Sequence, residues 1–179
     1  AARVGVFGVR GVAASVGDLR LLTGRRRSAP LRHQTITAVL DWSYQLLSSE
    51  EQALLRRLAV FVGGFTLESA AAIAGDADGT GTDVADRIAS LVPKSLIAVD
   101  EVGGRIRFRL LEITRAYAIE KLDESGERER IAHRHATYYA NLFARAEGEA
   151  TARPTGEWLA NYVRELDNLR AALDWAFSP

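Results

Sequence analysis

Basic side chains gather at the start of the chain, and a phosphate group or an acidic partner would fit their chemistry. Residues 1–32 hold seven arginines against one aspartate, a net charge of +6. Because the whole chain is neutral, residues 33–179 must sum to −6. A solvated linker, or one face of a fragment that meets a missing neighbour, would show the same asymmetry, and we favour these interpretations. The candidate contacts are Arg25, Arg26, Arg27, Arg32 and His33.

A second basic group lies on a predicted β-hairpin. Strand alternation over residues 105–110 puts three arginines on one face and three apolar side chains on the other. The candidate DNA or phosphate contacts are Lys94, Arg105, Arg107 and Arg109. The predicted helix 83–92, however, offers Asp83 and Asp86 against Arg87 alone, and this acidic face would be repelled by DNA. We therefore expect that this segment does not bind DNA.

No arrangement of side chains predicts a catalytic or metal site. His133 and His135 are two residues apart on a predicted helix, so their rings point about 200° apart and cannot share a metal. We interpret both as solvated. The Gly5, Gly8 and Gly11 series lacks the spacing and the βαβ context of a dinucleotide site. The chain has no cysteine, which excludes disulfides and thiolate chemistry, and we predict no catalytic residue.

The elements that position these residues are short helices followed by a hairpin. Apolar periodicity predicts a helix over 34–47, and Ser48 with Glu51 forms a capping box for the next one. Thr66 is predicted to cap a helix over 67–74 that Gly75 ends. A third helix, 83–92, is stopped by Pro93, and strands are predicted over 95–100 and 105–110. This order is typical of a winged helix.

The rest of the chain is predicted to be helical, over 111–122, 126–149 and 157–177. The apolar stripe of the last helix includes Trp158, Tyr162 and Leu173. Trp158, Tyr162 and Trp175 could line a ligand groove, but at helical spacing we interpret them as core positions. Paired helices of this kind suggest the first unit of a helical repeat. The predicted fold class is mainly α, a winged helix (three helices plus a β-hairpin wing) flanked by helical segments.

Composition favours a globular protein of the cytoplasm. The chain is 47% hydrophobic and 26% charged, and its apolar runs are far shorter than the ~20 residues of a membrane span. Its first residues lack the pattern of a signal peptide, and the chain contains no Met. We therefore expect no membrane contact, and we expect that the chain begins inside a longer protein.

Three stretches resemble bacterial STAND-type regulators, relatives of the NB-ARC (AP-ATPase-like) proteins. RHQTITAVLDWSYQLLSSEEQALLRRLAVFVGGFTLESA (32–70) resembles the entry to their winged helix. RFRLLEITRAYAIEKL (107–122) resembles its exit, and RELDNLRAALDWAF (164–177) resembles the start of their helical, tetratricopeptide-like repeats. The resemblance implies three parts. They are the end of a small helical subdomain (1–33), a winged-helix domain (34–122) and a helical hairpin that starts a repeat region (123–179).

The resemblance also implies a nucleotide switch in the parent protein. In this family a P-loop core binds ATP or ADP with Mg²⁺, and the winged helix packs over it as a regulatory lid. The chain has no G-x-x-x-x-G-K-[ST] motif, so we expect that core upstream of Ala1 and no cofactor in the chain itself. The implied partners are this upstream domain and an unknown effector. The arginines at 25–27 and 32, with His33, would then lie nearest the nucleotide.

One position departs from the family pattern. Plant and animal relatives often carry Met-His-Asp after the wing, where the His approaches the nucleotide phosphate. The matching residues here are Leu110, Leu111 and Glu112. Leu111 cannot donate a hydrogen bond, which puts phosphate sensing in doubt, whereas Glu112 would still cap the following helix.

These observations predict a regulatory role and no enzymatic activity in the chain. The resemblance implies that the longer protein that contains the chain is a candidate ATPase. The main hypothesis is an interdomain switch segment of a bacterial transcriptional regulator, which couples the ATP or ADP state upstream to effector or partner binding downstream. The first alternative is a stand-alone DNA-binding winged-helix transcription factor with a helical dimerisation tail. The second is a protein-interaction scaffold of helical repeats.

Overall fold

The computed structural model describes residues 31–76, 81–102, 105–149 and 154–178. The fold is mainly α-helical with a small antiparallel sheet. The helices are α1 (Leu31–Gln45), α2 (Ser49–Leu58), α3 (Leu67–Ala74), α4 (Gly81–Leu91), α5 (Glu112–Glu124), α6 (Arg128–Glu149), α7 (Thr155–Tyr162) and α8 (Leu166–Ala176). The strands are β1 (Ala98–Val102) and β2 (Arg105–Arg109), and a 3-10 turn covers Val163–Glu165.

The chain divides into two compact units, residues 1–46 and 47–179. In the first unit, α1 confirms the helix predicted from the apolar stripe, although it begins three residues before the predicted position 34. Its large apolar side chains Ile36, Val39 and Trp42 are exposed. The second unit contains the winged helix and the helices that follow it. The domain limits drawn from the resemblance remain predictions.

Local capping starts two helices of the winged helix, as the sequence predicts. The Glu51 amide donates to the Ser48 hydroxyl at 3.2 Å, and the Ser48 amide donates to the Glu51 carboxylate at 3.0 Å. At α3, the Ser69 amide donates to the Thr66 hydroxyl at 3.1 Å. Ser69 completes a second capping box, which sequence analysis missed because it looks for Glu or Gln at that position. Each box satisfies backbone donors that a helix start would leave unpaired.

The wing is an antiparallel pair, β1 with β2, in which Val99 lies opposite Phe108. Phe65, between α2 and α3, adds a one-residue bridge: its amide donates to the Phe108 carbonyl at 2.8 Å, and the Phe108 amide donates back at 2.9 Å. A single bridging residue has no periodicity, so the sequence could not reveal it. The apolar face of β2 is covered unevenly, because Ile106 is exposed whereas Leu110, past the strand, is buried.

The core of the second unit fills the space between the winged-helix helices and α6. Its most buried side chains are Leu54, Leu55, Leu58, Phe61, Phe65, Ile73, Ile88, Leu91, Leu122, Ile131, His135 and Tyr139. Residues of both α5 and α6 take part, so the winged helix and the following helices share one core. Such continuity favours cooperative unfolding of the whole unit.

The C-terminal region differs from the prediction. The single helix expected over 157–177 is wrong: α7 ends at Tyr162, the 3-10 turn follows, and α8 begins at Leu166. In this region Trp158 donates to the Ala146 carbonyl at 2.8 Å, and the last residue of the 3-10 turn, Glu165, is buried. Within the described ranges, no helix combines the length and apolar character that a membrane span needs.

Candidate functional site

The predicted nucleotide-proximal residues remain a prediction. Arg25, Arg26 and Arg27 lie outside the described residues. Arg32 and His33 belong to the first turns of α1, but their side chains also lie outside the described part of the chain. The structure therefore does not place this group against a phosphate or an acidic partner.

At the position that matches Met-His-Asp, the structure corrects one expectation. Leu110 is buried and Leu111 is 42% exposed. Leu111, and not Glu112, is the N-cap of α5, and no side chain caps this helix start. Glu112 is the first residue of α5, where a negative charge still suits the helix dipole.

Most of the cations near α4 and the wing are paired with carboxylates. Lys94 lies 2.5 Å from a Glu51 oxygen, and Arg109 lies 2.7 Å from an Asp100 oxygen. On α4, Arg87 pairs with Asp76 at 3.0 Å. Arg105 is exposed. A surface of this kind offers little unneutralised positive charge to a phosphate backbone.

Arg107 has a different environment from its neighbours on β2. Its guanidinium pairs with the Glu165 carboxylate and donates to the Gly64 carbonyl at 2.7 Å. The side chains of Arg107 and Glu165 are only 13% and 10% exposed. The Arg107 guanidinium, predicted to contact DNA or phosphate, therefore already binds a carboxylate. This ion pair connects the wing to the 3-10 turn.

Tyr139 of α6 extends this ion pair into a network. Its hydroxyl donates to the second Glu165 oxygen at 3.1 Å, and the side chain is fully buried. Burial raises the pKa of Tyr139 far above its usual range, and the neighbouring Glu165 adds to the effect. The phenol therefore stays protonated and serves as a hydrogen-bond donor.

Asn168 of α8 makes a second connection. Its side-chain oxygen accepts from the Val62 amide at 3.0 Å and from the Gly63 amide at 3.5 Å. Its side-chain nitrogen donates to the Gly64 carbonyl at 3.0 Å. Asn168 is 0% exposed, so these bonds satisfy both ends of a buried amide. We call Arg107, Tyr139, Glu165 and Asn168 the junction.

His135 corrects a prediction. It is 2% exposed and not solvated, because α6 turns this side chain into the core. Its ring lies 5.5 Å from that of Phe61 and 4.7 Å from that of Tyr139, measured between centroids. Burial lowers the pKa of His135 to about 4, so the ring is neutral near neutral pH. Its Nε2 atom has no hydrogen-bond partner among the described residues.

His133, on the other side of α6, is exposed and meets Trp175 edge-on at 6.0 Å between ring centroids. The two histidines therefore lie on different faces, as their spacing predicts. Among the described residues, no three His, Cys, Asp or Glu side chains are grouped so as to hold a metal ion.

A separate charged group surrounds the end of α3, and we call it the arginine cluster. Glu127 pairs with Arg56 and Arg57, each at 2.8 Å, and also with Arg130. Burial alone would raise the pKa of Glu127, but hydrogen bonds from Arg57 and Arg56 outweigh it and lower this pKa to about 2. The members of the arginine cluster are Arg56, Arg57, Arg87, Arg130 and Arg134, with the carboxylates of Asp76 and Glu127 between them.

Sequence analysis missed the acceptors of the junction. Glu165 and Asn168 both lie in RELDNLRAALDWAF, a stretch chosen only for its resemblance. Neither is apolar, so neither falls on the stripe that marks a buried helix face. In the sequence, Glu165 and Asn168 are polar residues beside an apolar stripe, and solvated positions on a helix have the same pattern.

The part of the chain that contains the wing and the preceding helices is similar to a known protein family. The family described as "Winged helix-turn-helix domain" matches residues 47–123. The order of α2, α3 and α4 followed by the hairpin of β1 and β2 is that of a winged helix. In such a fold α3 and α4 would be the helix-turn-helix, and β1 with β2 would be the wing.

The chain is also similar to longer mycobacterial proteins. It is 44% identical, over 177 residues and 98% of its length, to proteins of Mycobacterium tuberculosis and Mycobacterium bovis that are each named "Putative HTH-type transcriptional regulator". It is 42% identical over 137 residues, 75% of its length, to an uncharacterized M. tuberculosis protein, of which it covers 35%. The chain spans 20% of the length of the named regulators. No solved structure matches it significantly.

Proposed function

We propose that this chain acts in transcription regulation, as the winged helix-turn-helix segment of a longer regulator. The match over residues 47–123 and the names of the relatives support the proposal. Two mechanisms are compatible with this role. The winged helix either contacts DNA itself, or it transmits a change in packing to the helices that follow it.

The geometry favours the second mechanism. The observation that carries it is the junction, in which a wing arginine is held by a buried carboxylate from the C-terminal helices. A buried pair of this kind resists separation, because removing one partner leaves the other charge uncompensated. A displacement of the 3-10 turn or α8 would therefore be passed to the wing. Coupling to an ATP or ADP state remains a prediction from the resemblance to STAND-type regulators.

DNA contact is the second candidate, and the comparisons favour it more directly. A winged helix-turn-helix protein commonly places the second helix of its helix-turn-helix motif in the major groove of DNA. Here that helix is α4, which carries Asp83 and Asp86 beside the paired Arg87. The exposed cations left for a phosphate backbone are Arg105, Arg109 and Lys94, two of which are paired.

Binding to duplex DNA distinguishes the two mechanisms. The wild-type chain and the triple variant K94Q/R105Q/R109Q would be titrated with a duplex of about 20 base pairs by fluorescence anisotropy, at about 50 and 200 mM salt. If α4 and the wing contact DNA, the wild type binds with a steep salt dependence and the triple variant loses most of this affinity. If the winged helix acts through the junction, the triple substitution leaves any binding unchanged.

A control variant with the same loss of charge tests whether a loss of DNA affinity is specific to the wing. R128Q, R164Q and R170Q remove three exposed arginines outside the winged-helix match. An equal loss of affinity in this triple variant would mean that only net charge matters. A loss confined to K94Q/R105Q/R109Q would establish the wing as a DNA contact and would overturn the junction mechanism.

A further inference from the structure

The arginine cluster holds more positive than negative charge. Five guanidinium groups surround the carboxylates of Asp76 and Glu127, a surplus of three positive charges. The C-terminal end of α3 contributes roughly half a negative charge. Glu50 also interacts with the charge of Arg87. Positive charge remains in excess when Glu50 is counted.

Two arginines of the cluster donate to acceptors at and just after the C-terminal end of α3. Arg57 donates to the Ala74 carbonyl at 3.3 Å and to Asp76 at 2.6 Å. Arg134 donates to the Gly75 carbonyl at 2.8 Å and to the Ala72 carbonyl at 2.7 Å. Both guanidiniums therefore lie against the last turn of α3. Arg134 makes no ion pair among the described residues; the two backbone carbonyls and the more distant Asp76 offset part of its charge.

Burial and the charges of two neighbouring arginines both act on Arg134. Burial lowers the pKa of Arg134, and repulsion from Arg130 and Arg57 lowers it further. Like charges held this close disfavour one another, and a further anion beside Asp76 and Glu127 would reduce this repulsion. Arg130 is 51% exposed and Asp76 is 43% exposed, so solvent reaches the cluster from outside.

We propose that the arginine cluster binds a phosphate-bearing ligand. Guanidinium groups bind phosphate oxygens through paired, charge-assisted hydrogen bonds, and several of them meet here at one partly open surface. The phosphate belongs either to a small phosphorylated molecule or to the backbone of a nucleic acid. This site is separate from the junction and from the wing, and it does not rest on the proposed mechanism of coupling.

Inorganic pyrophosphate is the probe for this site. Isothermal titration calorimetry on the full chain, at about 50 mM salt, would compare the wild type with R130Q and with R164Q. Arg164 is an exposed arginine outside the cluster and serves as the matched control. We expect pyrophosphate to bind the wild type and R164Q alike, and R130Q to lose about tenfold in affinity.

A second variant keeps the test decisive. R87Q removes another partly exposed cation of the cluster, 23% exposed, and should weaken binding in the same direction. Circular dichroism establishes that each variant is folded before it is titrated. Absence of pyrophosphate binding by the wild type, or an equal loss in R164Q and R130Q, would overturn the proposal.

A duplex of about 20 base pairs identifies the source of the phosphate. Anisotropy would be measured for the same variants. Duplex binding that R130Q weakens and K94Q/R105Q/R109Q leaves unchanged assigns the site to a nucleic-acid backbone. Pyrophosphate binding without duplex binding assigns it to a small phosphorylated molecule. Both results support the phosphate site, and they remain distinguishable from DNA contact by the wing.

Discussion

Arg107 and Arg109 are two residues apart on one face of β2, yet they belong to different regions of the molecule. Arg109 pairs with Asp100 at the surface, where both side chains are almost half exposed. Arg107 pairs with Glu165 in the junction, where both are nearly buried. Water screens the first pair and is largely excluded from the second. An arginine–carboxylate pair therefore lies on the surface of the wing in one case and joins the wing to the C-terminal helices in the other.

The largest expected difference between the two regions follows from removing each carboxylate. E165A leaves the buried Arg107 guanidinium without its counter-charge and Tyr139 without its acceptor, which should lower the free energy of unfolding by about 4 kcal/mol. D100A removes the exposed partner of Arg109 and should change it by less than about 0.5 kcal/mol. Urea denaturation followed by circular dichroism measures both. Similar losses of stability in E165A and D100A would show that the buried and the exposed ion pair do not differ in their contribution.

Acid should affect the junction region next. The pKa of His135 is about 4 in the folded chain, against 6.5 for the ordinary side chain, because burial disfavours the charged ring. Between these pH values the unfolded chain binds a proton that the folded chain does not. Stability is therefore complete above pH 6.5 and falls as the pH drops toward 4, by at most about 3 kcal/mol.

The test of this pH dependence uses H135F and, as the exposed control, H133Q. Urea unfolding between pH 7 and pH 4 should show a flatter pH dependence in H135F and an unchanged one in H133Q. Glu127, whose pKa is lowered from 4.5 to about 2, also starts to lose its stabilisation below about pH 5, but it does so equally in the wild type, H135F and H133Q, so the difference between variants isolates His135. A wild-type slope that persists in H135F would contradict the assignment.

Asn168 sharpens the comparison without involving any charge. N168A removes the partner of the Val62 amide and one of the two donors to the Gly64 carbonyl, which keeps Arg107; both groups lie in the turn that follows α2. The expected loss of unfolding free energy is about 2 kcal/mol, because the hydrogen bonds of a fully buried side chain are lost. N141A, at an exposed position of α6, is the matched control. Equal melting temperatures for the two variants would show that the bonds of Asn168 contribute little.

The smallest of these effects concerns the helix-turn-helix itself. A Cβ at Gly75 would lie 2.5 Å from the Ala71 carbonyl oxygen, so G75A requires the end of α3 to shift and should cost about 1 to 2 kcal/mol. G148A, in α6, meets nothing within 4 Å and should stabilise the chain by about 0.5 kcal/mol. Thermal denaturation would show opposite shifts of the melting temperature. Shifts of the same sign would contradict the described packing at Gly75.

The local elements were predictable because their signals are local. The capping residues Ser48 and Thr66 lie directly before their helices, and the alternation over 105–110 marks β2. The break at Val163–Glu165 was not predictable, because the apolar stripe continues through it. The burial of His135 depends on which face of α6 meets Phe61, which spacing alone does not determine.

The candidate site was less predictable than the fold. Sequence analysis found Arg107 as a basic residue of the wing but assigned it a DNA or phosphate contact, since its partner Glu165 is 58 residues away along the chain. Arg56 and Arg57 lie at the C-terminal end of α2, where a positive charge suits the helix dipole without any further role. Their position in the arginine cluster depends on Glu127, 70 residues further along, which only the tertiary structure brings near.

Hydrogen exchange on E165A and D100A, measured by mass spectrometry, tests most directly whether the junction couples the winged helix to the C-terminal helices. The account predicts that E165A accelerates amide exchange both in β2 and in α8, while D100A accelerates it in neither. Faster exchange confined to α8, with β2 as protected as in the wild type, would show that the two regions open independently and would contradict the account.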